Sequence, residues 1–358
     1  MRIAYYISDY GYGHASRSIA IIRRLLKEYP HIEIIICHRF AIVFLKSSIQ
    51  DHRVSFRNVA TDFGYILDAD TLEIDSLHLG IALKEQQLNW PDLTKREVLF
   101  MKNQKIEFVI SDISALAIEA ADQIGIRSIG ISNFLWTDVY KPLVPESMYE
   151  HLNEAYTKMS HFLPLEGSLS TKWNHNESDI PFFAREIDWT EVKRIRSRLI
   201  KGQKQLIFYG LGMKVNHEAV ISQLKLFNSE DCVFIISSHI DYEAPNVYRI
   251  PQDYEETQHF VAASDFVITK PGWGTIGEAL QGKSRLLLLR RDTFLEDATT
   301  IQQLQKNNEC QTFSFSQLKE LTFTKESIAV LKRDIQLREN RNGLDQVMFN
   351  LHQILRSD

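Results

Sequence analysis

Three stretches of the chain combine glycine with residues able to move a proton or hold an anion. The first is Asp9-Tyr10-Gly11-Tyr12-Gly13-His14, with Arg17 close behind. Gly11 and Gly13 permit a tight turn and a close backbone approach to a ligand. His14 titrates near neutrality and suits a general base, a role worth about 10²–10⁴-fold in rate. An exposed or helix-capping histidine is the plainer account. The second stretch is Lys270-Pro271-Gly272-Trp273-Gly274-Thr275-Ile276-Gly277-Glu278. Thr275 and the neighbouring N–H groups would stand at a helix N-terminus, where unsatisfied donors and the helix dipole attract phosphate. Glu278, one turn further in, can accept hydrogen bonds from ribose hydroxyls; the alternative is a glycine turn with a dipole-stabilised acid. The third is Tyr209-Gly210-Leu211-Gly212, whose small residues would admit a phosphate and which a simple turn explains equally well.

A fourth cluster is Arg290-Arg291-Asp292-Thr293-Phe294-Leu295-Glu296-Asp297. Two arginines there can balance the charge of a diphosphate. Glu296 and Asp297 can bind sugar hydroxyls, and N-capping of the following helix would account for only one of these acids. Two motif matches mislead. Gly272, Gly274 and Gly277 fit the dinucleotide fingerprint, but it normally opens the first βαβ unit and here comes late. A dehydrogenase, with Asp292 or Glu296 as its acid, is a remote reading. Gly277 to Ser284 fits a P-loop, but it follows helical residues and precedes a strand, which places Lys283 at the wrong end. Asp68-Ala69-Asp70 has the form of a metal-binding DxD but lies in an acidic loop, and is rejected.

Positioning these residues requires a repeated framework. Short β-branched runs alternate with helical spacing: strands over 3–8, 32–37, 108–111 and 127–131, helices over 15–29 and 116–124. That rhythm predicts a mainly parallel sheet covered by helices. Residues 58–83 contain no Lys or Arg and five acids, and read as an exposed loop, either part of an acceptor site or a solvated excursion. The rhythm restarts near residue 205, with strands over 205–209, 232–237, 246–250, 266–269 and 284–289. The expected organisation is a domain over 1–186, a linker over 187–204, a second domain over 205–341, and a terminal helix over 342–358 packing back on the body. The cations Lys193, Arg194, Arg196, Arg198, Lys201 and Lys204 read as a solvated helix face or as a contact for an anionic surface.

Composition narrows the classes. The 358 residues suit about two domains. Forty-one basic against 46 acidic residues give a net charge of −5, without the basic footprint of a nucleic-acid binder. Three scattered cysteines, with no CxxC, argue against a disulfide framework or a cysteine zinc site and fit a reducing, cytoplasmic setting. The first eight residues do not read as a signal peptide, and no run is long enough to span a bilayer.

Taken together, Gly11-Tyr12-Gly13-His14, Lys270 to Thr275 with Glu278-Ala279-Leu280, and Glu296-Asp297 resemble the GT-B glycosyltransferases. They are similar to the nucleotide-sugar-dependent family that includes the N-acetylglucosaminyltransferase of peptidoglycan synthesis. Ser111-Asp112, Ser132-Asn133-Phe134-Leu135-Trp136 and the 290–297 cluster also resemble the glycosyltransferase-like N-terminal part of plant arabinose kinases. The resemblance spans roughly residues 1–310 and implies an α/β fold of two Rossmann-like domains with mainly parallel sheets facing a central cleft.

It further implies an inverting transferase that moves a sugar from a nucleotide diphosphate sugar, expected to be UDP-linked, to an acceptor hydroxyl, with no cofactor and no metal. His14 would be the base, with Asp112 orienting it. Gly11, Gly13, Gly210, Gly212, Lys270, Gly272, Gly274, Thr275, Arg290 and Arg291 would serve the nucleotide and diphosphate. The loop at Ile250-Pro251-Gln252-Asp253 would meet the base through its backbone, and Glu278 the ribose. Glu296 and Asp297 would hold the sugar, although this pair departs from the Asp-Gln common in such enzymes. The acceptor (glycan, lipid carrier, protein or small molecule) is not readable, and a peripheral membrane contact is permitted. A nucleotide-sugar epimerase of the same fold and a non-catalytic nucleotide-sugar sensor are the alternatives.

Overall fold

The computed structural model describes residues 1–67, 73–170, 179–212, 221, 223–291, 293–339 and 343–356. The chain forms two compact units, one of Met1–Pro181 with Leu344–Asp358, the other of Phe182–Gly343.

The first unit contains β1 (Arg2–Ile7), α1 (Tyr12–Glu28), β2 (Glu33–His38), α2 (Ile42–Ser48), β3 (Val54–Asn58), α3 (Ser76–Asn103), β4 (Phe108–Asp112), α4 (Ala115–Gln123), β5 (Arg127–Ser132), α5 (Trp136–Tyr140), α6 (Glu150–Thr157) and β6 (His161–Pro164). Its six strands lie in the order β3-β2-β1-β4-β5-β6, all parallel. Every residue of β4 and all but the first of β1 are buried, as the apolar runs require of central strands covered on both faces. Register pairs Ile7 with Asp112, so the glycine turn after β1 and the end of β4 share one carboxyl edge.

The second unit contains α7 (Trp189–Leu199), β7 (Gln205–Gly210), β8 (Cys232–Ile236), β9 (Val247–Arg249), α8 (Gln258–Ala263), β10 (Phe266–Thr269), α9 (Trp273–Gln281), β11 (Arg285–Leu289), α10 (Leu295–Gln305), β12 (Cys310–Phe313), α11 (Phe315–Glu320) and α12 (Lys325–Asp334). Its six parallel strands run β12-β11-β10-β7-β8-β9. Aromatic and branched side chains from β7, β8, β10 and α12 form one core around Tyr209, Phe227, Phe234 and Phe266. The last helix, α13 (Gly343–Arg356), belongs from Leu344 onward to the first unit, where His352 Nε2 lies 2.7 Å from Glu28.

Two expectations differ from this structure. The 187–204 stretch contains α7, capped by Asp188, which accepts from the Thr190 and Glu191 N–H groups. Two of its cations, Arg196 and Arg198, reach the rest of the second unit, whereas Lys193, Arg194, Lys201 and Lys204 are exposed, as the solvated-face reading expected. Arg196 donates to the Ala263 carbonyl and pairs with Asp265 at 3.2 Å, Arg194 pairs with Glu191, and Arg198 lies over the Tyr248 ring. The 58–83 stretch is not an open loop throughout. Thr61, Gly64 and Tyr65 are buried, and Asp75 caps α3 by accepting from the His78 N–H. Asp68-Ala69-Asp70 lies outside the described residues.

Candidate active site

The turn after β1 starts α1 early. Gly11 takes φ 103°, a conformation that L side chains rarely adopt, and helix begins at Tyr12, so His14 sits in the first turn. The ring is 8% exposed, and its Nδ1 lies 3.0 Å from Asp112 Oδ1. Arg17, one turn along the same face, crosses the strand ends. Its Nε donates to Asp112 Oδ2 at 2.7 Å, and its Nη2 to Asp112 Oδ1 at 2.5 Å and to Ser132 Oγ at 3.1 Å. Its Nη1 donates to Asn133 Oδ1 at 2.7 Å. Asp112, 1% exposed, is thus held by a base and a guanidinium together.

The turn after Asp112 is strained. Ile113 adopts φ 61°, which a β-branched residue avoids, and Tyr156 Oη donates to its carbonyl at 2.7 Å. The electrostatics favour a neutral imidazole beside a full carboxylate. Burial draws His14 below its ordinary 6.5, Arg17 adds to the fall, and Asp112 opposes it. Burial alone would raise Asp112, but the charges of Arg17 and His14 overcome it and hold the carboxyl at about 2. With Nδ1–H donating to Asp112, Nε2 is the nitrogen that can take a proton.

Asp62 forms a second, half-buried acid near the same edge. Its Oδ1 accepts from Ser8 Oγ and the Asp9 N–H, both at 3.1 Å, and its Oδ2 from Trp136 Nε1 at 3.1 Å. Burial pushes its carboxyl up to about 7, against the pull of those donors. Tyr10, Tyr65 and Tyr140 pack around Trp136, the last stacked at 5.4 Å. Gly64, at φ 69°, cannot carry a side chain here, because a Cβ would lie 2.0 Å from the Tyr10 ring.

In the second unit, Thr269 pairs with Gly210, and its Oγ1 donates to the Gly210 carbonyl at 2.8 Å, which brings the two glycine turns side by side. Gly212 takes φ 86°, and a Cβ there would lie 2.9 Å from Lys270 Cε, so the lysine stem lies across that glycine. α9 starts at Trp273 after Gly272 with no side-chain cap, and Gly274 and Thr275 fall in its first turn. Trp273 stacks on Phe182 at 4.9 Å, and Gly277 leaves room for the Phe183 carbonyl, which a Cβ would meet at 2.2 Å.

Glu278 is buried and pairs with Arg185 at 3.0 Å, so the proposed ribose ligand is already engaged by an arginine. Arg291 holds Asp297 through two hydrogen bonds of 2.6 and 2.8 Å and covers the Phe294 ring. Asp297 is buried, whereas Arg290 is exposed and Glu296 half-buried. Pro251 stands exposed just beyond β9, three strands from β10 or about 14 Å at ~4.8 Å per strand. His14 and Asp112 come together, with Gly11 and Gly13 in the same turn; the remaining candidates all lie in the second unit. The sequence reading gave Arg17 no role, counted Asp62 only among the acids of 58–83, and missed Arg185. The i, i+3 spacing of His14 and Arg17 was a usable signal for the first.

No protein-family model matches the chain. It is similar to L-arabinokinase of Arabidopsis thaliana, 28% identical over 302 residues, which are 82% of this chain and 28% of that protein. The chain therefore spans less than a third of that relative's length. Among solved structures it resembles the glycosyltransferase SnogD from Streptomyces nogalater, with a TM-score of 0.61 at 11% identity over 99% of both chains. It also resembles UGT2 of Phytolacca americana, solved with UDP-2fluoro-glucose and pterostilbene, with a TM-score of 0.63 at 10% identity over 99% of this chain and 100% of that one. The architecture is thus the two-domain α/β GT-B fold, as the resemblance implied.

Proposed function

We propose that the chain is an inverting, metal-independent glycosyltransferase that takes its sugar from a uridine diphosphate sugar. The observation that carries this reading is the buried pair of His14, at the start of α1, and Asp112, at the end of β4. Asp112 fixes the tautomer, and Nε2 takes the proton of an acceptor hydroxyl. The acceptor oxygen bonds to the anomeric carbon, while the bond from that carbon to the diphosphate breaks and its electron pair leaves with the diphosphate. Displacement in line inverts the centre. Lys270, across Gly212, and the uncapped N-terminus of α9 supply the charge and N–H donors that a departing diphosphate needs. UDP in the Phytolacca americana structure supports the choice of nucleotide.

His14→Ala tests this. With UDP-glucose and a panel of sugar and phenolic acceptors, diphosphate release should fall about 10²–10⁴-fold. The thermal shift given by UDP should be unchanged; a ligand at ~100 times its Kd adds ~2.7 kcal/mol. Equal loss of turnover and binding would refute the assignment, as would a wild-type protein stabilised only by NAD or ATP.

One observation favours the sensor reading. Arg17 Nη2 also lies 2.9 Å from His14 Nδ1. If Arg17 donates there, Nε2 already carries the proton and the histidine is not a base. Tight UDP-sugar binding without diphosphate release on any acceptor would select that reading.

A further inference from the structure

The longest helix of the first unit has a buried face and an unusual outer one. Inward, α3 buries Leu79, Leu83 and Met101 and sets Glu97 to accept from Tyr6 Oη at 2.6 Å and from Arg57 at 2.5 and 2.8 Å. Outward stand Leu77, Ile81, Leu88 and Leu99, 72, 57, 75 and 60% exposed. At about 100° per residue these four fall within about 40° of arc on a helix about 42 Å long. Lys95 lies within this arc and Lys84 and Lys102 about 20° outside one edge of it; outside the other edge stand Asp92 at about 20°, Glu85 at about 40° and Arg96 at about 60°, all six exposed. The remaining acid of α3, Glu97, is buried on the opposite face, and Glu73 and Asp75 precede the helix.

We infer that this stripe of α3 docks the protein on an anionic phospholipid surface, the helix lying flat with its leucines at the level of the acyl boundary. Charge decides between occupants. Two copies paired antiparallel about the middle of the stripe set Lys84 against Lys95 and Leu77 against Lys102. Paired in parallel, each lysine meets itself. A second copy therefore repels where an anionic bilayer attracts. Lysines interleaved with large aliphatic residues are what an interfacial helix presents, the ammonium groups reaching headgroups and the leucines leaving water. No helix among the described residues is long and apolar enough to cross a membrane, so the contact is peripheral. The inference is independent of the transfer reaction, because its readout is partition onto vesicles.

The test is flotation of the full chain with vesicles of phosphatidylcholine alone or doped with phosphatidylglycerol. Wild type should float with the doped vesicles at low salt, not with the neutral ones, and should be released as salt rises. A surface lysine contributes about fivefold to binding an anionic membrane, so Lys84→Glu with Lys95→Glu and Lys102→Glu should cut partition by about a hundredfold or more. Leu77→Gln with Leu88→Gln should lower it as well, with melting temperature unchanged in both variants. Failure of the wild type to float with doped vesicles would overturn the inference. So would partition that both variants leave intact, or a wild-type dimer in sedimentation that either variant dissolves.

Discussion

Replacing Asp112 by Asn separates what this carboxylate does for folding from what it does for chemistry. The substitution keeps the shape and removes the charge that faces Arg17, a guanidinium only 3% exposed. Removing one partner of a buried pair costs about 3–5 kcal/mol, since the other charge is left without compensation. Part of that cost depends on pH. Asp112 is held at about 2 against an ordinary 3.8, and a shift of that size converts to about 2 kcal/mol at 1.36 kcal/mol per unit. Its folded pKa is depressed, so this stabilisation is complete above about pH 4 and is lost as pH falls through about 2. The stability gap between wild type and Asp112→Asn should be about 3–5 kcal/mol at pH 7 and about 2 kcal/mol smaller near pH 2. Urea denaturation across that range measures it. Turnover should fall further than stability explains, by about 10³–10⁴-fold, because an amide facing Nδ1 no longer fixes the proton there. A gap below about 1 kcal/mol at pH 7, or one that does not narrow on acidification, would refute the ion-pair argument. A turnover loss under tenfold in folded protein would refute the orienting role.

Two further outcomes follow from the geometry. Asp62 is pushed up to about 7 by burial, so its contribution is present below about pH 4 and is lost as pH rises through about 7. Relative to wild type, Asp62→Asn should gain up to about 4 kcal/mol between pH 4 and pH 8, and a flat difference in denaturation midpoints would contradict this. Gly212→Ala meets both a φ of 86° and the Lys270 stem, so it should weaken the thermal shift given by UDP at least severalfold while the second unit still melts cooperatively. An unchanged shift would remove Lys270 from the diphosphate site.

The interior of the fold was legible because central parallel strands are buried on both faces and read as apolar runs. What escaped was part of the periphery, although the edge strand β9 was read from 246–250. β3, β6 and β12 are all edge strands. Their sequences, Val54-Ser55-Phe56-Arg57-Asn58, His161-Phe162-Leu163-Pro164 and Cys310-Gln311-Thr312-Phe313, mix polar residues or end in proline. α3 escaped because its outward leucines break the amphipathic pattern that marks a helix with one wet face. Within the site, His14 was visible as a type placed after a strand, and Asp112 only through the family resemblance. The Arg185–Glu278 pair was not, since its members lie 93 residues apart and only folding joins them. Arg291 and Asp297 were read as two ligands, whereas their six-residue spacing across a helix start makes them each other's partner.

The return of α13 to the first unit sets an order on synthesis. The chain leaves that unit at Pro181 and does not rejoin it until Leu344. At ~5–20 residues per second, residues 182–343 take roughly 10–30 s to translate. Throughout that interval Glu28, at the end of α1, lacks its His352 contact, although every strand of the first sheet has already been translated. The nascent first unit therefore waits on its successor, and a recombinant fragment cut at residue 181 would remain permanently at that unfinished stage.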